Sequence, residues 1–288
     1  MYALVGVRYR NATACHNDER SVDALLNSGI FADGTPPVVI TTPHMEGIPE
    51  STDIPTNIGM YNARIAADVA AARRRGEHVF MIGGDCTHVT GVFSGLQAAH
   101  GAEARIGLVW FDAHGDFNTS KTTLSGMLGG MPVAVCAGLT YPQWRTMAGI
   151  TVPLPTERIV MVDVRNLDPK ERTLIESTDV TVVPCAQDPL RLAMEALVVQ
   201  CDYIYLHIDE DILDIRYVPN HMTAEPNGPD MATVQAAIRT VATVAGPKLV
   251  AQALVSVMNT GDGAATSVAS GIELIRTMKS VWNYSSEV

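Results

Sequence analysis

One segment, which begins at Ile106, constrains the fold and the function of this chain more than any other. Residues Ile106 to Phe111 form an uninterrupted apolar run, which is typical of a buried strand. Asp112, His114 and Asp116 follow at alternating positions. Because side chains alternate between the two faces of an extended chain, we expect all three to point the same way. The alternative is an ordinary strand end with solvated acids and a histidine whose hydrogen bonds are satisfied locally.

A second segment repeats this pattern further along the chain. The apolar run 203–208 is followed by Asp209 and Asp211. In an open sheet of parallel strands, the carboxyl ends form the crevice in which ligands bind. The carboxylates of the two segments would repel one another there unless cations lay between them. Oxygen and imidazole ligands suit a hard or borderline divalent ion such as manganese, so the two segments together predict a metal site.

The rest of the chain alternates between segments typical of strands and segments typical of helices. This alternation predicts one α/β domain, residues 1–288, with a mostly parallel sheet of about eight strands and helices on both faces. The predicted strands are 2–7, 37–40, 78–82, 106–111, 158–164, 180–183, 203–208 and 249–257. The predicted helices are 21–28, 56–75, a short one ending near 177, 189–200, 231–245 and 267–282.

Composition excludes several classes of partner. The net charge of −11 argues against nucleic acid or an anionic membrane surface as a partner. The five cysteines are widely spaced without a C-x-x-C pair, which favours a reducing compartment over a disulfide framework. No apolar run approaches the ~20 residues needed to span a bilayer, and the first residues lack the pattern of a signal peptide. We therefore expect a cytoplasmic protein.

The two acidic segments resemble the metal-binding motifs of the arginase, or ureohydrolase, family. These are binuclear manganese enzymes that hydrolyse guanidino groups on a three-layer α/β/α sandwich. The family's Asp-Ala-His-x-Asp motif matches residues 112–116, and its Asp-x-Asp-x-x-Asp motif matches residues 209–214, with Ile215 where a proline usually follows. The resemblance covers most of the chain and implies an α/β/α sandwich, a two-ion manganese site and a homo-oligomer, a trimer or a hexamer.

The resemblance also implies a role for each ligand. Asp112 and Asp209 would bridge the two ions, His114 and Asp211 would complete one of them, and Asp116 would serve the other. Two ions ~3.5–4 Å apart lower the pKa of bound water towards ~7 and can hold a bridging hydroxide. We expect that hydroxide to attack the guanidino carbon, and Asp116 to accept its proton and pass it to the leaving nitrogen.

Cys86 departs from the family pattern. It follows Gly83-Gly84-Asp85 at the end of a predicted strand, where the family has a histidine ligand for the ion that Asp116 serves. A thiolate is a soft ligand, whereas manganese prefers oxygen and nitrogen. We therefore expect the Cys86 side of the site to hold its ion weakly or to hold a different ion. A buried, unreactive cysteine is the alternative. His88, nearby, is expected to pack rather than to replace the missing ligand.

Three further residues match family positions on the substrate side. Asn118 and Ser125 match positions that hydrogen-bond the α-carboxylate of an amino acid, and Asp168 matches the position that binds its α-amino group. Asp168, Pro169 and Glu171 also fit a plain helix start, with Asp168 as the N-cap and Glu171 at the third helical position. Both interpretations hold together, and we include Glu171 among the substrate-side residues.

Three positions differ from those of an arginase. Met127 replaces an asparagine, Gly129 replaces a histidine that shuttles protons, and Val257 aligns with a glutamate that faces the guanidinium. A guanidinium buried without a carboxylate would lose several kcal/mol of solvation, so a guanidine that is neutral at pH 7 fits better. N-hydroxylation lowers guanidine basicity. The pattern therefore resembles the family branch that hydrolyses N-omega-hydroxy-L-arginine to L-ornithine and hydroxyurea in D-cycloserine biosynthesis.

Other interpretations stay open on the sequence alone. With Gly129 in place of the histidine, the general acid is His221, His207 or another group, and each histidine also fits a structural role. An ordinary L-arginase or another guanidino-acid hydrolase is one alternative function. Agmatinase is less favoured because agmatine has no carboxylate. A catalytically inactive relative that acts as a binding or regulatory subunit is a further alternative.

Overall fold

The computed structural model describes residues 2–15, 22–32, 40–48 and 51–283. Its strands, in chain order, are β1 Tyr2–Val7, β2 Tyr9–Arg10, β3 Thr13–Ala14, β4 Ile40–Thr41, β5 His78–Gly83, β6 Ile106–Phe111, β7 Ile159–Val162, β8 Thr181–Val183, β9 Tyr203–Asp209 and β10 Leu249–Val255. Its helices are α1 Val22–Asn27, α2 Ile54–Arg74, α3 Val89–His100, α4 Pro132–Cys136, α5 Pro142–Ala148, α6 Pro169–Glu176, α7 Gln187–Gln200, α8 Met231–Ala245 and α9 Ala264–Asn283.

Within the described residues, eight strands form one sheet in the order β4-β1-β5-β10-β9-β6-β7-β8, and β2 and β3 form a small antiparallel hairpin. All neighbouring strands of the large sheet are parallel. Their carboxyl ends therefore meet along one edge. Because β5, β10, β9 and β6 are adjacent at the centre, whatever follows these strands converges at the middle of that edge.

Helices cover both faces of the sheet, which gives three layers. Alternate residues of β6 enter different cores: Val109 and Phe111 pack in the core that contains residues of α1, α7, α8 and α9. Leu108 and Trp110 pack in the core that contains residues of α2, α3, α4 and α6. The period of two along a strand thus buries both faces and explains why the central strands are apolar throughout.

The glycines of α3 let this helix lie unusually close to α2. A Cβ added to Gly95 would lie 2.5 Å from the Cβ of Val69 and 2.8 Å from the carbonyl oxygen of Ala66. Gly91 donates its N–H to the side-chain oxygen of Asn62. Helix α3 begins directly after the turn Cys86–His88, so this contact fixes the segment that carries Cys86.

Most predicted elements are confirmed, with shifted ends. Helix α2 begins at Ile54, two residues earlier than predicted, because the carboxylate of Asp53 accepts from Thr56 N at 3.1 Å and caps the helix. Strand β7 is shorter than predicted, since Asp163 has a positive φ of 66°. Strand β10 ends two residues early, where Ser256 has a φ of 64°. Residues 37–39 of the second predicted strand lie outside the described residues, and Ile40–Thr41 pairs with β1.

Helices α3, α4 and α5 and the β2–β3 hairpin were not predicted from the sequence. Helix α3 is buried along most of its length and contains two glycines and three β-branched residues, so it shows no polar face. Helices α4 and α5 have five and seven residues, too few for a clear period. No helix in the described part of the chain is long and apolar enough to cross a membrane.

We predict that Gly95→Ala destabilises the fold. Although alanine favours helix by about 1 kcal/mol, the added methyl must displace backbone atoms of α2, and overpacking of this kind costs about 1–3 kcal/mol. Urea unfolding should show a lower free energy of unfolding than the parent protein. Ala98→Ser, at an exposed position of the same helix, is the control and should change it by no more than about 0.5 kcal/mol. A Gly95→Ala protein more stable than the parent would contradict this packing.

Candidate metal centre

A cavity of about 480 Å³ opens at the carboxyl ends of β5, β10, β9 and β6. Among the residues that the structure describes, eight acidic residues line it, against one arginine and two histidines. A cavity with this excess of negative charge attracts cations. The six predicted metal ligands and the four predicted substrate-side residues are all among its lining residues: Cys86, Asp112, His114, Asp116, Asp209, Asp211, Asn118, Ser125, Asp168 and Glu171.

The segment after β6 reaches the cavity in a conformation that differs from the predicted one. The strand ends at Phe111, and Asp116 has a positive φ of 46°, so the ligands do not alternate along an extended chain. Instead, Asp112 Oδ1 accepts from His114 N at 2.6 Å, which turns the chain back. The convergence of Asp112, His114 and Asp116 is therefore as predicted, but a turn brings them together.

His114 lies between two carboxylates. Its Nδ1 is 3.2 Å from Asp112 Oδ1 and 3.1 Å from Asp211 Oδ2. Burial alone would lower the pKa of His114, but the hydrogen bonds to these two carboxylates raise it to about 12. The imidazole thus acts as the local cation in this structure. Asp112, His114 and Asp211 are also one of the sets of three described residues whose ligand atoms lie within 4.8 Å of one another, close enough to share an ion.

The segment after β9 supplies the facing carboxylates. Asp209 ends the strand, and residues Glu210–Ile212 form a single helical turn that begins when Asp209 Oδ1 accepts from Asp211 N at 3.0 Å. Ala113 N donates to Asp211 Oδ1 at 3.3 Å and so joins the two acidic segments directly. Asp112, Asp209 and Asp211 are all at least 96% buried.

Cys86 connects the third segment to both others. Its thiol donates to Asp209 Oδ2 at 3.0 Å and to Asp112 Oδ2 at 3.5 Å. Burial and the charges of Asp209, Asp116 and Asp112 raise the pKa of this thiol well above its usual value. Cys86, Asp112 and Asp116 form a group of three that could hold an ion, but a soft ligand takes part in this group, unlike the other groups found among the described residues.

The electrostatics of the cavity show what a cation would relieve. Burial, followed by the charges of neighbouring carboxylates, raises the pKa of Asp112 and of Asp209. Burial also raises that of Asp116 well above its usual value. Burial alone would raise the pKa of Asp211, but the hydrogen bond with His114 and the charges of His114 and His221 together lower it. Buried carboxylates around one imidazole fit a divalent ion such as manganese on the His114 side, and fit it less well on the Cys86 side.

The other two histidines considered from sequence lie outside the cavity. His88 is fully buried, with Nε2 2.9 Å from Asn11 O and its ring edge-on to Tyr61, so it packs as expected. The His207 ring stacks on the Trp110 ring with the ring centres 4.3 Å apart, and its Nδ1 lies 2.7 Å from the Tyr205 hydroxyl. Burial lowers the pKa of His207 to about 3. It does not line the cavity and is not in a position to act as the general acid.

The predicted substrate-side residues form one rim. Asn118 Nδ2 donates to Asp168 Oδ2 at 3.2 Å, and Leu124 N donates to the same oxygen at 2.9 Å. Ser125 lies beside Leu124 on the exposed part of this loop. Glu171 is buried, and its carboxylate accepts from Phe117 N at 2.8 Å and from Asp168 N at 3.3 Å. It holds the loop after Asp116 against the start of α6.

Two of the three expected departures from an arginase line the cavity. Met127 lines the cavity with 44% of its surface exposed. Gly129 also lines it, and a Cβ added there would meet no atom of the described residues within 4 Å. The expectation for Val257 was wrong. Its side chain is fully buried against Gly271, because the positive φ of Ser256 turns the chain and leaves Ser256 to line the cavity.

Sequence reasoning missed several lining residues. Arg10 comes from the β2–β3 hairpin, which is attached to the Cys86 turn because Asn11 N donates to Asp85 Oδ2 at 2.9 Å. Thr223 and Glu225 come from the long loop between β9 and α8. The signal for them was the length of that loop, since long irregular segments in compact domains are commonly functional.

Comparison with known proteins agrees with this geometry. The model of the Arginase family matches residues 30–279 of the 288-residue chain.

The chain belongs to the arginase family.

Arginase from Bacillus caldovelox is 31% identical over 165 residues, which are 55% of this chain and 54% of that protein. The N(omega)-hydroxy-L-arginine amidinohydrolase of Streptomyces lavendulae is 33% identical over 134 residues, 46% of each chain. The aligned segments thus span about half the length of these curated relatives.

Solved arginases share the fold over nearly the whole chain. The Bacillus caldovelox enzyme superposes with a TM-score of 0.81 at 22% identity and covers 96% of this chain and 97% of its own. Entamoeba histolytica arginase, solved in complex with L-ornithine, superposes with a TM-score of 0.82 at 20% identity and covers 97% of this chain and 99% of its own. These likenesses confirm the predicted three-layer α/β/α arginase fold.

We predict that Cys86→His binds manganese more tightly than the parent chain, by roughly tenfold or more, because a borderline nitrogen ligand replaces a protonated thiol beside Asp112 and Asp116. Titration calorimetry of the metal-free proteins would measure both affinity and stoichiometry. Cys136→Ala removes a buried thiol outside the cavity and is the control. Unchanged affinity and stoichiometry in Cys86→His would remove Cys86 from the metal centre.

Proposed function

We propose that this protein is a metal-dependent amidinohydrolase that hydrolyses N-omega-hydroxy-L-arginine to L-ornithine and hydroxyurea. The observation that carries the proposal is a pair of overlapping groups, each close enough to hold an ion, in a cavity whose rim contains Asp168: Asp112, His114 and Asp211 form one group, and Asp209 and Asp211 belong to the other. Family membership supports hydrolysis of a guanidino group. The similarity to a hydroxyarginine amidinohydrolase over part of the chain supports the choice of substrate.

We propose manganese as the metal, with the ion on the Cys86 side held weakly or absent. Asp112, His114, Asp209 and Asp211 would hold the ion on the other side through oxygen and imidazole nitrogen. When bound, divalent ions supply an activated water at neutral pH and polarise the group that it attacks.

The chain's own residues handle the proton. The carboxylate of Asp116 is 94% buried beside Cys86 and takes the proton from the attacking water. Glu171 fixes the loop that carries Asp116, since it accepts from Phe117 N at 2.8 Å. This attachment restrains the backbone next to Asp116 and so limits the motion of the accepting carboxylate, which favours general-base catalysis.

The rim recognises the amino-acid end of the substrate. A carboxylate of Asp168 binds the α-ammonium group, and the Asn118 amide and Ser125 hydroxyl donate to the α-carboxylate. The Asn118 Nδ2–Asp168 Oδ2 hydrogen bond of 3.2 Å sets these two groups side by side, as the two substituents of one α-carbon require. Agmatine, which lacks the carboxylate, would leave half of this recognition unused.

The far end of the substrate meets no carboxylate from β10. Ser256 lines the cavity there, and Val257 is buried in the core. A guanidinium would be desolvated without a partner at this position, at a cost of several kcal/mol, whereas a neutral hydroxyguanidine avoids that loss. The open space beside Gly129 gives room for the added hydroxyl.

One observation favours L-arginase as a second candidate. Glu225 lines the cavity, 3.7 Å from His114 Nε2, and accepts from Asn166 Nδ2 at 2.5 Å. Its carboxylate faces the cavity from the long loop after β9 and is available to a guanidinium.

Assembly into a homo-oligomer, a trimer or hexamer, and a cytoplasmic location stay predictions from the family resemblance and the composition.

The substrate choice is tested by steady-state rates on N-omega-hydroxy-L-arginine, L-arginine and agmatine with manganese-loaded protein. We expect kcat/KM to be at least about tenfold higher for hydroxyarginine than for arginine, because the cavity lacks the β10 carboxylate that a guanidinium needs. Asp112→Ala is the control for metal-dependent turnover. A kcat/KM for arginine equal to or above that for hydroxyarginine would transfer the assignment to L-arginase. No turnover of any guanidino compound would favour an inactive relative.

A further inference from the structure

His221 occupies a place in the metal centre that the family motifs do not assign. It lies on the long loop between β9 and α8 and is 9% exposed. Its Nε2 is 3.6 Å from Asp209 Oδ1, and its Nδ1 is 3.8 Å from Asp211 Oδ2. His221, Asp209 and Asp211 form a group of three whose ligand atoms lie within 4.8 Å of one another.

The loop holds His221 in a fixed place. His221 N donates to Val218 O at 3.0 Å. The neighbouring Asn220 donates through Nδ2 to Met258 O and to Thr260 O, each at 2.9 Å. The segment is thus attached to the end of β10, itself next to β9 in the sheet. A ligand held by its surroundings in this way loses little freedom when it binds an ion.

One ring nitrogen of His221 has no partner. Nε2 is buried and, among the described residues, makes no hydrogen bond. The 3.6 Å to Asp209 Oδ1 is too long for one. A buried polar atom without a partner costs about 1–3 kcal/mol, so it calls for a ligand that the protein chain does not supply. Two atoms bound at about 2.1 Å to one ion lie roughly 3–3.6 Å apart, which is close to this separation.

The other ring nitrogen is arranged to leave Nε2 with a lone pair. Thr223 Oγ1 lies 3.2 Å from His221 Nδ1 and donates its own proton to Asp211 Oδ2 at 2.9 Å. The hydroxyl can therefore accept from Nδ1–H while it orients Asp211. A second contact, from Thr223 N to Nδ1 at 3.3 Å, fits the opposite tautomer, but only the tautomer with Nδ1–H gives Nε2 the lone pair that an ion needs.

We propose that His221 is a metal ligand, which binds through Nε2 the divalent ion that Asp209 and Asp211 hold. The inference deepens the proposed function, since it concerns the same metal centre. It also revises the role expected from the sequence: as a ligand, Nε2 has no proton to give, so His221 is not the general acid. Cys86 stands where the family has an imidazole ligand, and His221 supplies a different imidazole from a loop.

The number of histidine nitrogens on the ion tests the proposal without any substitution. Apart from His221, the ligand set contains one histidine, His114. Metal-free protein is loaded with Mn²⁺, and electron spin-echo envelope modulation counts the coordinated imidazole nitrogens. We expect two in the parent chain and one in both His221→Ala and His221→Asn. Chelator competition should show Mn²⁺ affinity at least about tenfold weaker in both variants.

His44→Ala, which removes an exposed histidine outside the cavity, is the control and should leave both readouts unchanged. One imidazole nitrogen in the parent chain, or His221 variants with unchanged affinity, would overturn the proposal. If the variants kept their affinity but lost turnover, His221 would be a proton donor instead. Neither readout uses a guanidino substrate. A chain that hydrolyses no guanidino compound would still show two coordinated imidazoles if His221 is a ligand, so this proposal and the proposed function fail separately.

Discussion

The fold places several carboxylates where they cannot all stay charged without a cation. Asp112, Asp209 and Asp211 are buried together at the carboxyl ends of adjacent central strands. Burial and mutual repulsion raise the pKa of Asp112 and of Asp209, and His114 offers a compensating charge close to Asp112 and Asp211. A structure would not keep this arrangement for stability, because apolar residues would pack there at lower cost. The arrangement is explained by the ions that it can hold, and the rest of the cavity is built around them.

The central part of the site could be predicted from the sequence because it depends on short-range patterns. Apolar runs predict buried strands, alternation of strands and helices predicts a parallel sheet, and the carboxyl ends of parallel strands must meet at one edge. Asp112, Asp209 and Cys86 each follow such a run, so their meeting needed no knowledge of loops. The helix start at Asp168 was equally local, since an acidic N-cap followed by proline is a strong signal.

What could not be predicted depends on backbone turns and on distant contacts. The positive φ of Asp116 and of Ser256 decides which side chain enters the cavity, and non-glycine residues give little warning of such turns. Such a turn can make a sequence-based assignment wrong by one residue, as it did when Val257 rather than Ser256 was expected to face the substrate. Glu225 and Arg10 reach the cavity from a long loop and a short hairpin whose positions depend on contacts far along the chain. No period in the sequence encodes those contacts.

The most direct test of this account is anomalous scattering from a crystal grown with manganese. The account predicts a peak at the carboxylates of Asp112, Asp209 and Asp211 and the imidazole of His114, about 2–2.2 Å from the ligand atoms, with a weaker peak or none beside Cys86. Should the data show no manganese within bonding distance of Asp112 and Asp209, those carboxylates do not form a metal centre, and the proposed chemistry would be contradicted.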